Sequence, residues 1–190
     1  MSYCDSGEAE GLTQHVGQAP IPAGILVNCI ASSPFSSLTA MPDAELIPLL
    51  AKEVVKLRVS SVLNRDTKTY GKQHLLDASE ETCWNSDEGA AQWVDLQFDR
   101  PVEIFAVHLM CQGGFVPREA KLTAPPPSQA TDAPAAAFTF YPDDVNSRQV
   151  FTTDAPLRGN HFRLHLSTSS DFFGRVTIYH LQMYGREVVA

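Results

Sequence analysis

The feature that most constrains the fold is a succession of short apolar stretches with the two-residue period of a β-strand. Residues 93–98 and 162–166 alternate apolar and polar side chains, and residues 102–111 are almost continuously apolar, as in a strand covered on both faces. About eight such strand candidates can be placed, at 57–63, 93–98, 102–111, 118–122, 138–140, 149–152, 162–166 and 176–184. Turn residues separate them and no long helical pattern intervenes, which predicts an all-β fold, an antiparallel β-sandwich of the jelly-roll type.

The first 57 residues differ from this pattern. Residues 1–42 contain four prolines and no hydrophobic period, so we expect a flexible N-terminal extension. Residues 43–57 form a lead-in, in which Pro48 suits the first turn of a short helix near 47–54 that gives way to the first strand. The domain itself is predicted over 58–187, with a proline-rich loop insertion at 124–136.

Charge and cysteine content exclude several classes of function. The chain has 14 Lys and Arg against 22 Asp and Glu, a net charge of −8, so it lacks the basic excess expected for direct contact with nucleic acid or an anionic membrane. Its first ten residues hold no Lys or Arg, unlike a secretory signal. The four cysteines form no CxxC pair and indicate free thiols in a reducing compartment, the cytoplasm or the nucleus.

The sequence offers no motif for catalysis. Nucleophile-elbow, metalloprotease and phosphate-loop patterns are missing from it. His161 and His165 fall in a strand pattern, where four residues span about 13 Å, too far to share a metal. His108 and His180 lie inside apolar strands and are expected to be core histidines. We therefore predict a noncatalytic protein.

One stretch points to a known fold family. Asp77 begins a turn, Thr82 and Trp84 follow, and the strand Gln92-Trp93-Val94-Asp95-Leu96 comes next. Trp84 and Trp93 are both expected to be buried anchors. This arrangement resembles the discoidin or coagulation-factor type C module, a galactose-binding-like β-sandwich.

Five separated blocks narrow the resemblance. They are residues 58–65, 70–74, 80–87, 112–115 and 171–176. Together they look like the family of small nuclear-receptor-associated proteins, repressor-type partners of the testicular orphan receptor. The resemblance implies a noncatalytic intracellular binding module that regulates transcription through protein contacts, with a nuclear receptor or another regulatory protein as partner.

The loops at one end of the sandwich are the candidate binding site. Asp171 to Arg175 places two adjacent aromatic rings in a loop, of which one is expected to enter the core and one to face outward; alternatively both rings plug the sandwich. The candidate binding residues are Asn85, Phe115, Arg118, Asp171, Phe172, Phe173 and Arg175. The same residue types would suit a carbohydrate or small-ligand lectin, and this alternative stays open.

The resemblance also implies a structural calcium ion near Asp77 and Thr82, since many galactose-binding-like domains hold one there. Hard cations need several oxygen ligands, and His180 stands where the family usually has an acid. The alternative is that Asp77 caps its own turn and Thr82 bonds to the backbone.

Overall fold

Eight antiparallel strands make up most of the residues that the computed structural model describes, which are 46–50, 56–77, 79–124 and 136–188. The strands are β1 (Ile47–Pro48), β2 (Lys56–Val59), β3 (Trp84–Asn85), β4 (Ala91–Cys111), β5 (Pro117–Ala124), β6 (Ala136–Phe140), β7 (Arg148–Ser169) and β8 (Thr177–Glu187). Between β2 and β3 lie one short helix, α1 (Thr67–Tyr70), and 3-10 turns at Leu63–Arg65 and Lys72–Leu75. The sheet order is β1-β8-β4-β7-β5-β6, with β2 beside β4 and β3 beside β8.

Two long strands join the layers of the sandwich. The first part of β4, up to Gln97, pairs with β2 on one side and with the second half of β7 on the other. From Val102 onward, β4 pairs instead with β8 and with the first half of β7. The break that was predicted at residues 99–101 is therefore a register shift inside one strand, because both halves keep β7 as a neighbour. The strand candidates at 149–152 and 162–166 are likewise two parts of β7.

The core follows the alternation seen in the sequence. Val94, Leu96 and Phe98 are buried, as predicted. Trp84 is fully buried, and its indole Nε1–H donates a hydrogen bond to the backbone oxygen of Ser61 at 3.0 Å. The expectation that Trp93 is also a core anchor is wrong: the alternation puts it on the outer face, where it is only partly buried.

The lead-in to the domain is extended where it is described. Ile47 and Pro48 pair with Gly185 and Tyr184 of β8, and the N–H of Leu49 donates to the oxygen of Met183 at 2.7 Å. The predicted helix over 47–54 therefore does not begin at 47, and residues 51–55 lie outside the described ranges. An edge strand tolerates a proline because one side of its backbone makes no ladder hydrogen bonds, and the segment buries Leu49 and Leu50.

Two predicted features fall on residues that the structure does not describe. They are the extension at 1–42 and, apart from its two ends, the loop insertion at 124–136, which joins β5 to β6. The predicted bounds of the domain remain predictions. In the described ranges, no helix is long and apolar enough to cross a membrane.

Candidate functional site

The loop between β7 and β8, residues 170–176, presents two aromatic rings to solvent. Phe172 is 94% exposed and Phe173 is 53% exposed, and the two rings meet edge to face with centroids 5.3 Å apart. Neither ring enters the core, so both forms of the prediction, one ring inward or both as a plug, are wrong. The strand period cannot apply here, since Phe172 and Phe173 form the turn itself.

Asp171 and Arg175 fix the shape of this loop. One carboxylate oxygen of Asp171 accepts from the backbone N–H groups of Phe173 and Arg175, both at 3.1 Å, and from Arg175 Nε at 3.0 Å. The other accepts from Arg175 Nη2 at 3.1 Å. The hydrogen bond from the Arg175 guanidinium lowers the pKa of Asp171, and the same bond raises the pKa of Arg175. A two-point ion pair of this kind holds both side chains in place.

Arg175 also lies between two rings. Its guanidinium carbon is 5.1 Å from the ring centroid of Phe115 and 5.5 Å from that of Phe173, within the range of cation–π attraction. Phe115 comes from the loop between β4 and β5, and its backbone oxygen accepts from the N–H of Thr177 at 3.1 Å. Five of the seven predicted binding residues therefore form one surface, here called the aromatic patch: Phe115, Asp171, Phe172, Phe173 and Arg175.

The other two predicted residues are not part of the patch. Arg118 is exposed at the start of β5 and lines a cleft of about 270 Å³ with Pro142, Asp143 and Ser170, the residue before Asp171. Asn85 lies in β3 opposite Thr177 of β8, and its side-chain oxygen is buried without a hydrogen-bond partner, as is the hydroxyl of Thr177. Asn85 thus does not present its side-chain oxygen to a ligand at the surface.

A buried polar network behind the patch was missed from the sequence. Gln92 is 4% exposed; its amide nitrogen donates to the backbone oxygens of Asp87 and Gly89, and its amide oxygen accepts from Ser61 Oγ at 3.0 Å. Gly89 in turn donates its N–H to the oxygen of Phe173 at 3.0 Å. Through this hydrogen bond the network holds the aromatic loop in position. The sequence gives no sign that this glutamine, at the start of a strand, is buried, and only the three-dimensional structure shows it.

The predicted calcium ligands do meet, but they bond to each other. Asp77 Oδ2 accepts from the Thr82 hydroxyl at 2.6 Å and contacts His74 Nδ1 at 2.9 Å, while Oδ1 accepts from the N–H of Ser79. Burial would raise the pKa of Asp77, but the hydrogen bonds from Thr82, His74 and Ser79 together lower it. The hydrogen bond to the Lys68 carbonyl and the one to Asp77 raise the pKa of His74.

This donor set does not fit a calcium ion. A histidine that favours its charged form sits against the carboxylate oxygen that would bind the metal. Among the described residues, no three His, Cys, Asp or Glu side chains cluster as metal ligands. Asp77 does cap its turn through Ser79, while Thr82 bonds the carboxylate rather than the backbone.

The histidines predicted to be core residues also differ from expectation. His108 and His180 are only partly buried and lie on an outer face, where His108 packs against Tyr184 with the rings tilted by 38° and their centroids 4.3 Å apart. Burial, and then the nearby charge of Arg148, lowers the pKa of both. The near-continuous apolar sequence of the second half of β4 had suggested cover on both faces.

Solved structures with this architecture define the class of the domain. They include the F5/8 type C domain of a Bacteroides fragilis protein, with a TM-score of 0.56, 18% identity, and coverage of 70% of this chain and 92% of that one. A family 32 carbohydrate-binding module of C. perfringens in complex with galactose gives a TM-score of 0.53 at 12% identity, covering 68% and 92%. At such identities the likeness shows the fold alone: a discoidin-type, galactose-binding-like jelly roll, as predicted.

Proteins of similar sequence define the family more specifically than these structures do. No protein-family model matches the chain. It is 44% identical over 140 residues to the Homo sapiens nuclear receptor 2C2-associated protein, covering 74% of this chain and 97% of the relative. The protein of the same name in Xenopus tropicalis is 41% identical over 140 residues, covering 74% and 100%. The chain belongs to the nuclear receptor 2C2-associated protein family, which confirms the resemblance found in the sequence.

Proposed function

We propose that this chain is a noncatalytic adaptor that associates with a nuclear receptor through the aromatic patch and regulates transcription by that contact. The observation that carries the proposal is Phe172, which is 94% exposed on a loop that Asp171 holds with four hydrogen bonds. A large apolar side chain fixed in solvent is what a protein interface uses as an anchor. Because the loop is already ordered, binding incurs little further loss of conformational entropy.

The charges of the patch support a binding role rather than a catalytic one. Asp171 and Arg175 bond to each other through two pairs of atoms, and the pKa of each is shifted toward its charged form. An acid or base that works at neutral pH needs a pKa moved toward the operating pH, which is the opposite direction for both groups. The names of the relatives, which describe associated proteins, agree with a binding role.

A protein partner also suits the patch better than a sugar. Carbohydrate sites pair an aromatic ring with polar groups free to bond hydroxyls, but the carboxylate of Asp171 is already occupied by four donors. Asn85, another polar group that a lectin would use, has its side-chain oxygen buried. Galactose is a ligand of a structural neighbour, and it serves as a comparison in the test.

We further propose that the protein acts in the cytoplasm or the nucleus. Cys83 and Cys111 are free thiols, and burial together with Asp144 raises the pKa of Cys111 to about 12. Unpaired cysteines are usual in reducing compartments.

The test is binding to purified nuclear receptor 2C2. Phe172→Ala and Phe173→Ala are each expected to weaken the affinity about 30-fold, the equivalent of about 2 kcal/mol for a truncated anchor. Val150→Ala is the matched control, since Val150 is an apolar side chain that is 57% exposed in the first half of β7, outside the patch. Unchanged affinity in both phenylalanine variants would contradict the proposal, and so would galactose binding that depends on Phe172 without any binding of the receptor.

A further inference from the structure

A second surface carries positive charge on this acidic chain. It is the outer face of the layer formed by β2, the first part of β4 and the second half of β7. The register places Arg58 beside Asp95 and Asp95 beside Arg163, while Lys56, Gln97 and His161 form the next row. These side chains line a cleft of about 270 Å³.

The cleft holds more positive charge than its own acidic side chain neutralises. Its single acid, Asp95, accepts from Arg163 Nε at 2.7 Å and Nη2 at 2.9 Å, and these bonds lower the pKa of Asp95 against the effect of burial. Lys56 and Arg58 are exposed, and their side chains make no hydrogen bond or ion pair with any residue in the described ranges. Two cations that have no partner among the described residues, on a chain of net charge −8, are suited to an anionic group on a partner protein.

An apolar cleft adjoins the basic one. It measures about 370 Å³ and is lined by Val59, Val62 and Trp93, with Arg58 common to both clefts. Lys72 closes its rim, since its ammonium donates to the oxygen of Leu57 at 2.7 Å. The guanidinium of Arg163 lies over the Trp93 ring, 4.7 Å from the centroid. The two clefts together are called the basic groove.

We propose that the basic groove binds a peptide segment of a protein partner in which carboxylates neighbour one large apolar side chain. Arg58 and Lys56 pair with the carboxylates, and the apolar side chain fills the space between Val62 and Trp93. A nucleic acid fits less well, because the buried Asp95 carboxylate lies in the wall of the cleft and the net charge of the chain repels a long polyanion.

The basic groove is distinct from the aromatic patch. None of the residues that line its two clefts belongs to the patch. Variants of one surface therefore leave the residues of the other unchanged, so the two proposals can be tested separately.

The experiment uses the full chain and a set of synthetic peptides made of Asp and Glu around a central Leu, Ile or Phe. The readout is the NMR signal of the Trp93 indole N–H, assigned with Trp93→Phe. We expect at least one peptide to shift this signal, with affinity falling about tenfold or more when the central residue is Gly, because the apolar burial is lost. Replacing Asp and Glu by Asn and Gln should abolish binding, and added salt should weaken it.

The matched variants reverse charge on opposite layers. Lys56→Glu with Arg58→Glu is expected to weaken peptide binding at least about tenfold through like-charge repulsion, while Arg148→Glu, an exposed residue of the first half of β7, leaves it unchanged. If the double variant fails to fold, Arg58→Gln tests the same contact. Three results would overturn the proposal: no peptide shifts the Trp93 signal, Arg148→Glu weakens binding equally, or a thymidine oligonucleotide binds the groove more tightly than every peptide.

Discussion

Phe172 is exposed because hydrogen bonds between its neighbours fix the turn with the Phe172 side chain in solvent. The carboxylate of Asp171 accepts hydrogen bonds from the backbone N–H groups of Phe173 and Arg175 and from the Arg175 guanidinium. These bonds close the turn that carries the Phe172 ring. Gly174 completes the turn with φ of +79°, a region that side chains with a Cβ rarely adopt. Exposure of this apolar side chain follows from hydrogen bonding in the loop, which hydrophobicity alone does not reveal.

The two tryptophans should differ sharply in their contribution to stability. Trp84 is fully buried and bonded to Ser61, so Trp84→Ala is expected to lower the free energy of unfolding by about 3–5 kcal/mol. Trp93→Ala, on the outer face, should lower it by less than half of that. Urea denaturation of both variants measures the difference. Equal losses would contradict the placement of the two rings.

The His74–Asp77 pair predicts a pH dependence. The pKa of His74 is raised above 6.5 in the folded state, so its contribution to stability is complete below the unfolded value and is lost as pH rises through the folded value. The contribution of His74 should therefore fall as pH rises from 6.5 through its raised folded pKa, and His74→Gln should remove that part of the slope. Free energies of unfolding measured across this window test the sign. A slope of the same size in His74→Gln would show that another group is responsible.

At the scale of elements, the aromatic loop depends on its contact with the loop before β4. A Cβ on Gly174 would lie 2.4 Å from the oxygen of Gly89, whereas Gly114 has a similar φ of +84° and nothing within 4 Å of its Cβ position. Gly114→Ala is therefore a matched control that carries only the backbone strain, about 1 kcal/mol. Gly174→Ala should cost more and displace the loop.

Thermal denaturation and receptor binding measure this pair of variants. We expect Gly174→Ala to weaken receptor binding and Gly114→Ala to retain it. Equal binding by the two variants would mean that the close approach of Gly174 to Gly89 does not position the aromatic patch.

The local sequence pattern was sufficient to predict some structural elements but not others. The inward face of residues 94–98 could be read from alternation, because that face is set by the two-residue period alone. The passage of β4 through residues 99–101 could not, since pairing with β7 on both sides of the shift decides it. The same holds for β1, whose partner Gly185 lies far away in the chain. Of the site, the loop and five of its residues were predictable, but the solvent position of both rings and the buried oxygen of Asn85 were not.

At the scale of the whole molecule, two N-terminal truncations should differ in their effect on stability. Residues 1–42 contain no hydrophobic period, and the relatives align over only 140 residues, so a fragment of residues 43–190 should unfold at the same temperature as the full chain. A fragment of residues 56–190 lacks β1 and the buried Leu49 and Leu50. It should lose about 4 kcal/mol or more. A large loss in the 43–190 fragment would place the domain boundary earlier in the chain.

The central claim is that the aromatic patch is the receptor-binding surface, and hydrogen–deuterium exchange of the full chain with and without purified nuclear receptor 2C2 tests it most directly. The account predicts slower exchange at 112–116 and 170–176, the two loops that supply Phe115 and the Phe172–Phe173 pair. Slower exchange confined to the face with His108 and Tyr184, with the two loops unchanged, would contradict it.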